Sequence, residues 1–137
     1  MAIDSVLRDG SYFQSLISLW SQEAESKKAE LDLRPDNVVY VKSLAKTFEH
    51  AYLDQMIPNI APLLSDADRF KQRAGAEFLA GLLRGSKHWS LSAKKHLEDW
   101  FIGQLSVIFA HIRPDTIRFW EDFFKVRSSE YVNSTQS

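Results

Sequence analysis

The side chains that most often perform catalysis or bind metals lie far apart along this chain. The four histidines are scattered, with neither the His-x-x-x-His nor the Glu-x-x-His spacing that places two metal ligands on one helix face. No serine lies in a Gly-x-Ser-x-Gly turn, and the five glycines do not form a phosphate-binding loop. Cysteine is absent, which excludes thiolate metal sites, cysteine nucleophiles and disulfides. The sequence therefore predicts a protein that is not an enzyme and has no metal or cofactor.

The strongest candidate for binding is a short basic and aromatic segment, RGSKHW. It follows an amphipathic pattern, and loops after helices carry binding residues more often than helix interiors do. The candidate binding residues are Arg84, Lys87, His88 and Trp89. The cationic members could meet an acidic group. The alternative is a structural turn between helices, with Trp89 filling the gap between them.

Aromatic pairs near the end of the chain offer a second possibility for recognition. Trp100-Phe101 and Phe119-Trp120 are followed by Phe123-Phe124. Such rings could form a cage for a modified lysine, because a cation binds over ring faces. At helical spacing they more often form a core. Adjacent residues of a helix point in different directions, so we expect either Phe119 or Trp120 to face a neighbouring unit or a partner.

Charge is distributed unevenly, although the net charge is only −1. Residues 69–96 hold seven basic side chains and one acidic one, net +6. This central basic band could attract a polyanion or an acidic protein surface, or it could be a solvated helix face. The near-neutral total argues against direct nucleic-acid binding. No apolar run approaches the roughly 20 residues needed to span a bilayer, and residues 1–13 do not resemble a signal peptide.

Helical periodicity positions these groups, because each patterned segment repeats its apolar residues every three or four positions. The first helix is predicted over residues 11–31, and the next begins with Asp36 as its N-cap. Pro58 and Pro62 predict a kinked or restarted helix that ends near Leu64, since each proline removes an amide donor.

A helix poor in side-chain bulk precedes the RGSKHW segment. Ser65 or Asp66 is its predicted N-cap. Its interior glycines cost stability, so we expect a neighbouring helix to approach closely. Gly85 is predicted to end it in the left-handed conformation. The following helix begins at Ser90 or Ser92, and its apolar face is predicted to include Leu91.

Composition and pattern together predict an all-α fold. Apolar residues make up 45% of the 137 and charged residues 26%, which suits a folded domain. Successive helices joined by short turns form either a compact bundle or a solenoid. The proline-kinked helix favours HEAT-type pairing. We predict a HEAT-like α-α superhelix of two to three helix pairs over residues 1–127, followed by a flexible polar tail over residues 128–137.

One segment resembles a known family. Residues 73–89, RAGAEFLAGLLRGSKHW, resemble the large HEAT-repeat, ATP-independent proteasome activators, called proteasome activator subunit 4 in animals and the bleomycin-sensitivity protein in yeast. The similarity extends more weakly over residues 36–125. It implies an α-solenoid whose full-length parent caps the 20S proteasome core particle and promotes degradation without ATP.

The resemblance implies further properties of the parent. These are a nuclear and cytoplasmic location, a link to DNA repair, breakdown of acetylated histones, and inositol polyphosphate in basic openings. The family's tyrosine-rich C-terminal tail, which helps to open the proteasome gate, has no match in the last residues, STQS. Two alternatives stay open, namely a module that binds histones or acetyl-lysine and a generic HEAT scaffold. An array with unpaired end helices is also expected to self-associate, most simply as a two-fold dimer.

Overall fold

A computed structural model describes residues 11–21, 31–48 and 53–125. Within these ranges the regular structure is entirely helical, which confirms the all-α prediction. The helices are α1 (Ser11–Ser21), α2 (Pro35–Phe48), α3 (Leu53–Ile60), a 3-10 helix (Ala61–Ser65), α4 (Arg69–Gly85), a second 3-10 helix (Ser86–His88), α5 (Leu91–Ala110) and α6 (residues 117–125).

Helices α2 and α4 pack side by side and run in the same direction. Their contact is more extensive than that of α4 with α1 or with the 3-10 helix Ala61–Ser65. Going along α4, the contacts advance along α2: Glu77 meets Asn37, Gly81 meets Val41, and Gly85 meets Ala45. Two adjacent parallel helices require a returning segment between them, and α3 with its 3-10 extension lies there in sequence. This arrangement makes α2 and α4 equivalent members of consecutive helix pairs, as a solenoid requires.

Glycine makes the close packing of α2 and α4 possible. A Cβ atom added to Gly81 would lie 2.5 Å from Cβ of Val41 and 2.8 Å from the carbonyl oxygen of Val38. One turn later, a Cβ atom on Gly85 would lie 2.6 Å from both Cβ of Ala45 and the Lys42 carbonyl oxygen. The expected close approach of a neighbouring helix is therefore confirmed.

Gly85 does not have the predicted left-handed conformation. Its φ of −71° and ψ of −21° are right-handed helical values. The chain passes from α4 directly into the 3-10 helix, so no positive φ is needed at this point. Glycine is required here by the neighbouring backbone of α2 rather than by a helix stop.

Two predicted helix caps lie at other residues. The N-cap of α4 is Asp68, whose carboxylate accepts a hydrogen bond from the Phe70 backbone N–H at 2.9 Å, and not Ser65 or Asp66. Asp66 instead accepts from the Asp68 N–H at 2.8 Å. Helix α2 begins at Pro35, which places Asp36 in the first turn rather than at the cap. Ser90 caps α5, as predicted.

Helix α1 packs on α4 through its aromatic side chains. The ring of Phe13 lies edge-on to Phe78, with 5.8 Å between the centroids. Residues 22–30 of the predicted first helix lie outside the described residues, and Leu31, its predicted last residue, is buried but not helical. The proline prediction is confirmed, because α3 contains Pro58 and the chain changes to the 3-10 helix that contains Pro62.

Helices α5 and α6 enclose an aromatic cluster. The ring centroids of Phe101 and Phe123 are 6.0 Å apart, and those of Trp120 and Phe123 are 5.4 Å apart. Phe119 and Trp120 are both buried, at 0% and 1% exposure. The expectation that one of them faces a neighbouring unit or a partner is met by the first alternative, because Trp120 Nε1–H donates a hydrogen bond to Gln72 of the neighbouring helix α4. The prediction for Leu91 is wrong, since it is 84% exposed.

Candidate functional site

The C-terminal ends of the parallel helices α2 and α4 bring basic side chains to one end of the array. We call this set the basic edge. It consists of Lys42 and Lys46 of α2, Arg84 at the end of α4, and Lys87 and His88 of the second 3-10 helix. The contact between Gly85 and the Lys42 carbonyl group fixes the two helices next to each other at this point.

Trp89 is buried beneath the basic edge and connects it to α2. Its side chain is only 5% exposed, and its indole Nε1–H donates a hydrogen bond to the Ala45 carbonyl oxygen at 3.0 Å. Its backbone N–H donates to the Ser86 carbonyl oxygen at 2.9 Å. The prediction that Trp89 fills the gap between helices is confirmed. Trp89 therefore positions the segment and does not itself reach a partner.

The predicted binding residues separate into two groups in the structure. Lys87 and His88 are exposed, and Arg84 is half-buried on the last turn of α4. Trp89 points into the core. Sequence reasoning missed Lys42 and Lys46, because they lie about 40 residues earlier and only the parallel packing brings them near. A short basic pattern at positions 42 and 46 was the only available signal.

Electrostatics give the basic edge two roles. The C-terminus of a helix carries partial negative charge, and cations near it are stabilising. Two parallel helices end here, so Lys46 and Arg84 in their last turns stabilise the fold. The exposed members, Lys87 and His88, extend this positive surface toward solvent. An acidic group on another molecule could bind there without any rearrangement of the backbone.

The central basic band is not one surface, because Arg73 is buried. Its Nε lies 3.8 Å from Oε2 of Glu77, which is itself fully buried. Glu77 accepts hydrogen bonds from the Arg34 backbone N–H at 2.7 Å and from Asn37 Nδ2 at 3.0 Å. Glu77 of α4 therefore caps the start of α2. We call these four residues the Glu77 cluster.

Burial dominates the electrostatics of the Glu77 cluster. Desolvation raises the pKa of the Glu77 carboxyl above its ordinary value, since burial disfavours the charged form. The hydrogen bonds from Asn37 and Arg34 and the charge of Arg73 act in the opposite direction. This cluster was not predicted, because its members are separated by up to 43 positions in sequence.

A second buried polar group joins the start of α4 to the α5–α6 connection. Gln72 is fully buried, and its Nε2 donates to the carbonyl oxygens of Asp66 at 3.1 Å and His111 at 3.3 Å. Its Oε1 accepts from Trp120 Nε1 at 2.8 Å. Arg113 adds a bond to the Ala67 carbonyl oxygen at 2.8 Å. These bonds tie consecutive helix pairs together and leave no catalytic arrangement at this point.

Within residues 11–21, 31–48 and 53–125, no three histidine, aspartate or glutamate side chains come together as metal ligands could. None of the helices described is both long enough and apolar enough to cross a membrane. The basic edge is thus the feature of the described residues that best fits the predicted binding site.

The chain matches a known protein family and several curated proteins. Residues 1–132 match the family described as proteasome activator complex subunit 4-like, HEAT repeat-like. The chain is 29% identical over 112 residues to proteasome activator complex subunit 4 of Homo sapiens, and 29% identical over 118 residues to subunit 4B of Danio rerio. Subunit 4A of Danio rerio is 31% identical over 96 residues.

The lengths differ greatly in these comparisons. The alignments cover 82%, 86% and 70% of this chain, respectively. They cover only 6%, 6% and 5% of the relatives. The aligned part of the chain therefore spans only about one-twentieth of the length of these curated relatives, and the similarity concerns one part of a much longer protein.

Proposed function

Because the chain belongs to the proteasome activator complex subunit 4-like, HEAT repeat-like family, we propose that it is a non-enzymatic helical-repeat segment of a proteasome activator. The complete activator caps the 20S proteasome core and promotes degradation of peptides and proteins without ATP. This segment forms part of the α-solenoid of that activator. The proposal extends from a segment to a whole protein that is about fourteen times longer in its human relative, since 112 aligned residues are 6% of that protein.

The family match over residues 1–132 is the observation that carries this proposal. The parallel packing of α2 and α4 supports it, because equivalent helices of consecutive pairs run in the same direction in a solenoid. The buried polar clusters support a structural role as well. Glu77 and Gln72 use their polar atoms in holding helices together rather than in facing a substrate.

Within this function, the segment is proposed to bind the core particle directly, and the basic edge is the proposed contact with an acidic surface of that particle. Lys87 and His88 are exposed, and the backbone beneath them is fixed by Trp89 and Gly85. A fixed loop loses little conformational entropy on binding. Charge complementarity would increase the association rate and make binding sensitive to salt. Arg84 and Lys87 are the proposed cationic contacts, and Trp89 is a positioning residue.

A direct binding experiment tests both parts of the proposal. The immobilised 137-residue chain is incubated with purified 20S core particle at low and at high salt, and the retained core particle is measured. We expect retention at low salt and its loss at high salt. Lys87→Glu should reduce retention. Lys125→Glu, an exposed charge reversal on α6 away from the basic edge, is the matched control.

The outcomes separate the two parts. No retention at low salt would contradict the proposal that this segment binds the core particle. Retention that Lys87→Glu and Lys125→Glu reduce equally would support core binding but contradict the basic edge as its site. Circular dichroism of each variant verifies that the helices are intact, because Lys87 also takes part in interactions within the chain.

The remaining expectations from the resemblance stay predictions. Binding of acetylated histones or inositol polyphosphate, a link to DNA repair and a nuclear and cytoplasmic location belong to the proposed full-length parent. The aromatic residues Phe119, Trp120 and Phe123, which could have formed a lysine cage, are buried in the core. These three rings therefore pack within the core, whereas Trp100 and Phe124 are half-buried.

A further inference from the structure

One face of α5 is turned away from the rest of the described chain and carries large apolar residues. Leu91 is 84% exposed, Ile102 is 62% exposed and Phe109 is 60% exposed. Residues spaced by seven and eleven positions lie on one side of an α-helix, so these three share a face. The opposite side of α5 contributes Ala93, Leu97, Phe101 and Ile108 to the core.

The charges on this face follow a symmetric pattern. Reading along α5, the order is apolar Leu91, basic Lys94 and Lys95, acidic Glu98 and Asp99, and apolar Ile102. The six positions are placed symmetrically about the midpoint between residues 96 and 97. Reversing the direction of the helix therefore exchanges the heights of Lys95 and Glu98 and those of Leu91 and Ile102, whereas Lys94 and Asp99 lie on opposite flanks of this face.

We propose that two copies of this chain associate through the outer faces of α5, antiparallel and related by a two-fold axis that passes between residues 96 and 97. In this register Lys95 of one copy lies opposite Glu98 of its partner, because both positions are close to the line that joins Leu91 and Ile102. Leu91 of each copy lies against Ile102 of the other. A two-fold interface requires such self-complementarity, because each contact occurs twice.

The same charges also interact within one helix. Lys95 Nζ lies 3.3 Å from Asp99 Oδ2 in the same copy, with the two side chains 76% and 61% exposed. An exposed pair of this kind is weak. Each lysine can therefore turn toward the partner at little cost. The second copy adds what a single helix lacks, namely cover for Leu91 and Ile102.

The size of the surface makes this dimer weak. The stretch from Leu91 to Ile102 is about 16 Å long, at a rise of ~1.5 Å per residue. One helix face of that length buries less than the roughly 1,200 Å² of a stable standard interface. The dissociation constant of the dimer is therefore expected to lie between about 10 μM and about 1 mM.

A charge-swap experiment tests the register. Sedimentation equilibrium of the full 137-residue chain is measured across that concentration range for four proteins: the unchanged chain, Lys95→Glu, Glu98→Lys, and the double variant. Each single change creates two like-charge contacts and should raise the dissociation constant at least about tenfold. The double variant restores opposite charges at both contacts and should recover the original dissociation constant within about threefold.

Further variants separate this face from other surfaces. Leu91→Ser should weaken association, while Leu19→Ser, an equivalent change of an exposed leucine on α1, should not. Lys87→Glu on the basic edge should leave the dimer unchanged. All these side chains are exposed, and Lys87 also takes part in interactions within the chain, so circular dichroism verifies the folding of each variant.

Two results would overturn the proposal. The first is a monomer throughout the concentration range. The second is a dimer in which the double variant is as weak as the single ones, or which only Leu19→Ser or Lys87→Glu disrupts, because association would then use another register or another face. Neither result bears on binding of the core particle, which is measured separately through the basic edge.

Discussion

Gly81 of α4 lies so close to Val41 of α2 that a Cβ atom at position 81 would be 2.5 Å from the valine Cβ. Non-bonded carbon atoms do not approach each other to this distance, so any side chain at position 81 must push the two helices apart. The same arrangement recurs one turn later between Gly85 and Ala45. The short distance between α2 and α4 therefore depends on the absence of a Cβ atom at Gly81 and at Gly85.

The first prediction concerns these glycines. Gly81→Ala should lower the free energy of unfolding by about 1–3 kcal/mol, because overpacking forces the backbones of α2 and α4 apart. Gly103→Ala is the matched control, since a Cβ atom there would have nothing within 4 Å and glycine disfavours a helix interior. It should raise the free energy of unfolding by about 0.5–1 kcal/mol. Urea denaturation measures both, and equal effects would contradict the close packing.

The second prediction concerns the bond beneath the basic edge. Trp89→Phe keeps most of the apolar volume but removes the N–H that the Ala45 carbonyl oxygen accepts. The free energy of unfolding should fall by about 1–3 kcal/mol, since a buried polar group loses its partner. Trp89→Ala should cost more, about 3–5 kcal/mol, because it also leaves a cavity. If both variants have the same unfolding midpoint, Trp89 is not the buried support described here.

The third prediction is a pH dependence from Glu77. Its folded-state pKa is raised above the ordinary value of 4.5, chiefly by burial. At a pH between the ordinary pKa and the raised pKa, Glu77 is protonated more often in the folded chain than in the unfolded chain. At a pH below the ordinary pKa of 4.5, the stabilisation that arises from this difference in proton binding is complete. It declines as the pH rises through the raised pKa of the folded chain.

Glu77→Gln removes this titration and serves as the reference. The difference in the free energy of unfolding, unchanged chain minus Glu77→Gln, should decrease as the pH rises from 4.5. The slope is the test, because the amide also changes the hydrogen bonds from Arg34 and Asn37. Glu98→Gln measures the effect of losing one exposed carboxylate. A difference that increases with pH would mean that Arg34, Asn37 and Arg73 outweigh desolvation.

The fourth prediction concerns Gln72, which connects the start of α4 to α6. Gln72→Met preserves length and removes the bonds to Asp66, His111 and Trp120. The free energy of unfolding should fall by about 2–4 kcal/mol, because several buried polar atoms lose their partner at once. Gln14→Met, at an exposed position of α1, should change it by less than ~0.5 kcal/mol. Similar values for the two variants would be inconsistent with the burial of Gln72.

The helices and most of the core could be predicted from the sequence, because both depend on local periodicity. The place of Trp89 and the close approach at Gly81 followed from side-chain size alone. The caps could not be assigned with the same certainty. Ser65, Asp66 and Asp68 can all accept a backbone hydrogen bond, and the position of the preceding 3-10 helix selects Asp68.

The polar clusters were beyond local reasoning. Glu77 is a good helix former in the middle of α4, and nothing near it in sequence predicts burial. Its partners are Arg34, directly before α2, and Asn37, in the first turn of α2; both are at least 40 positions away and reach Glu77 only because α2 runs parallel to α4. The same packing brings Lys42 and Lys46 to the basic edge, so the complete site depends on tertiary structure.

The two glycines of this contact also fix the register of the helices. If α4 were displaced by one turn along α2, either Glu77 or the segment that follows Gly85 would take the place of one glycine, and a side chain would then stand where there is no room for a Cβ atom. The same displacement would break the hydrogen bond from the Arg34 N–H to Glu77 and the one from Trp89 Nε1–H to the Ala45 carbonyl oxygen. Packing and hydrogen bonding therefore specify the same single alignment of α2 and α4.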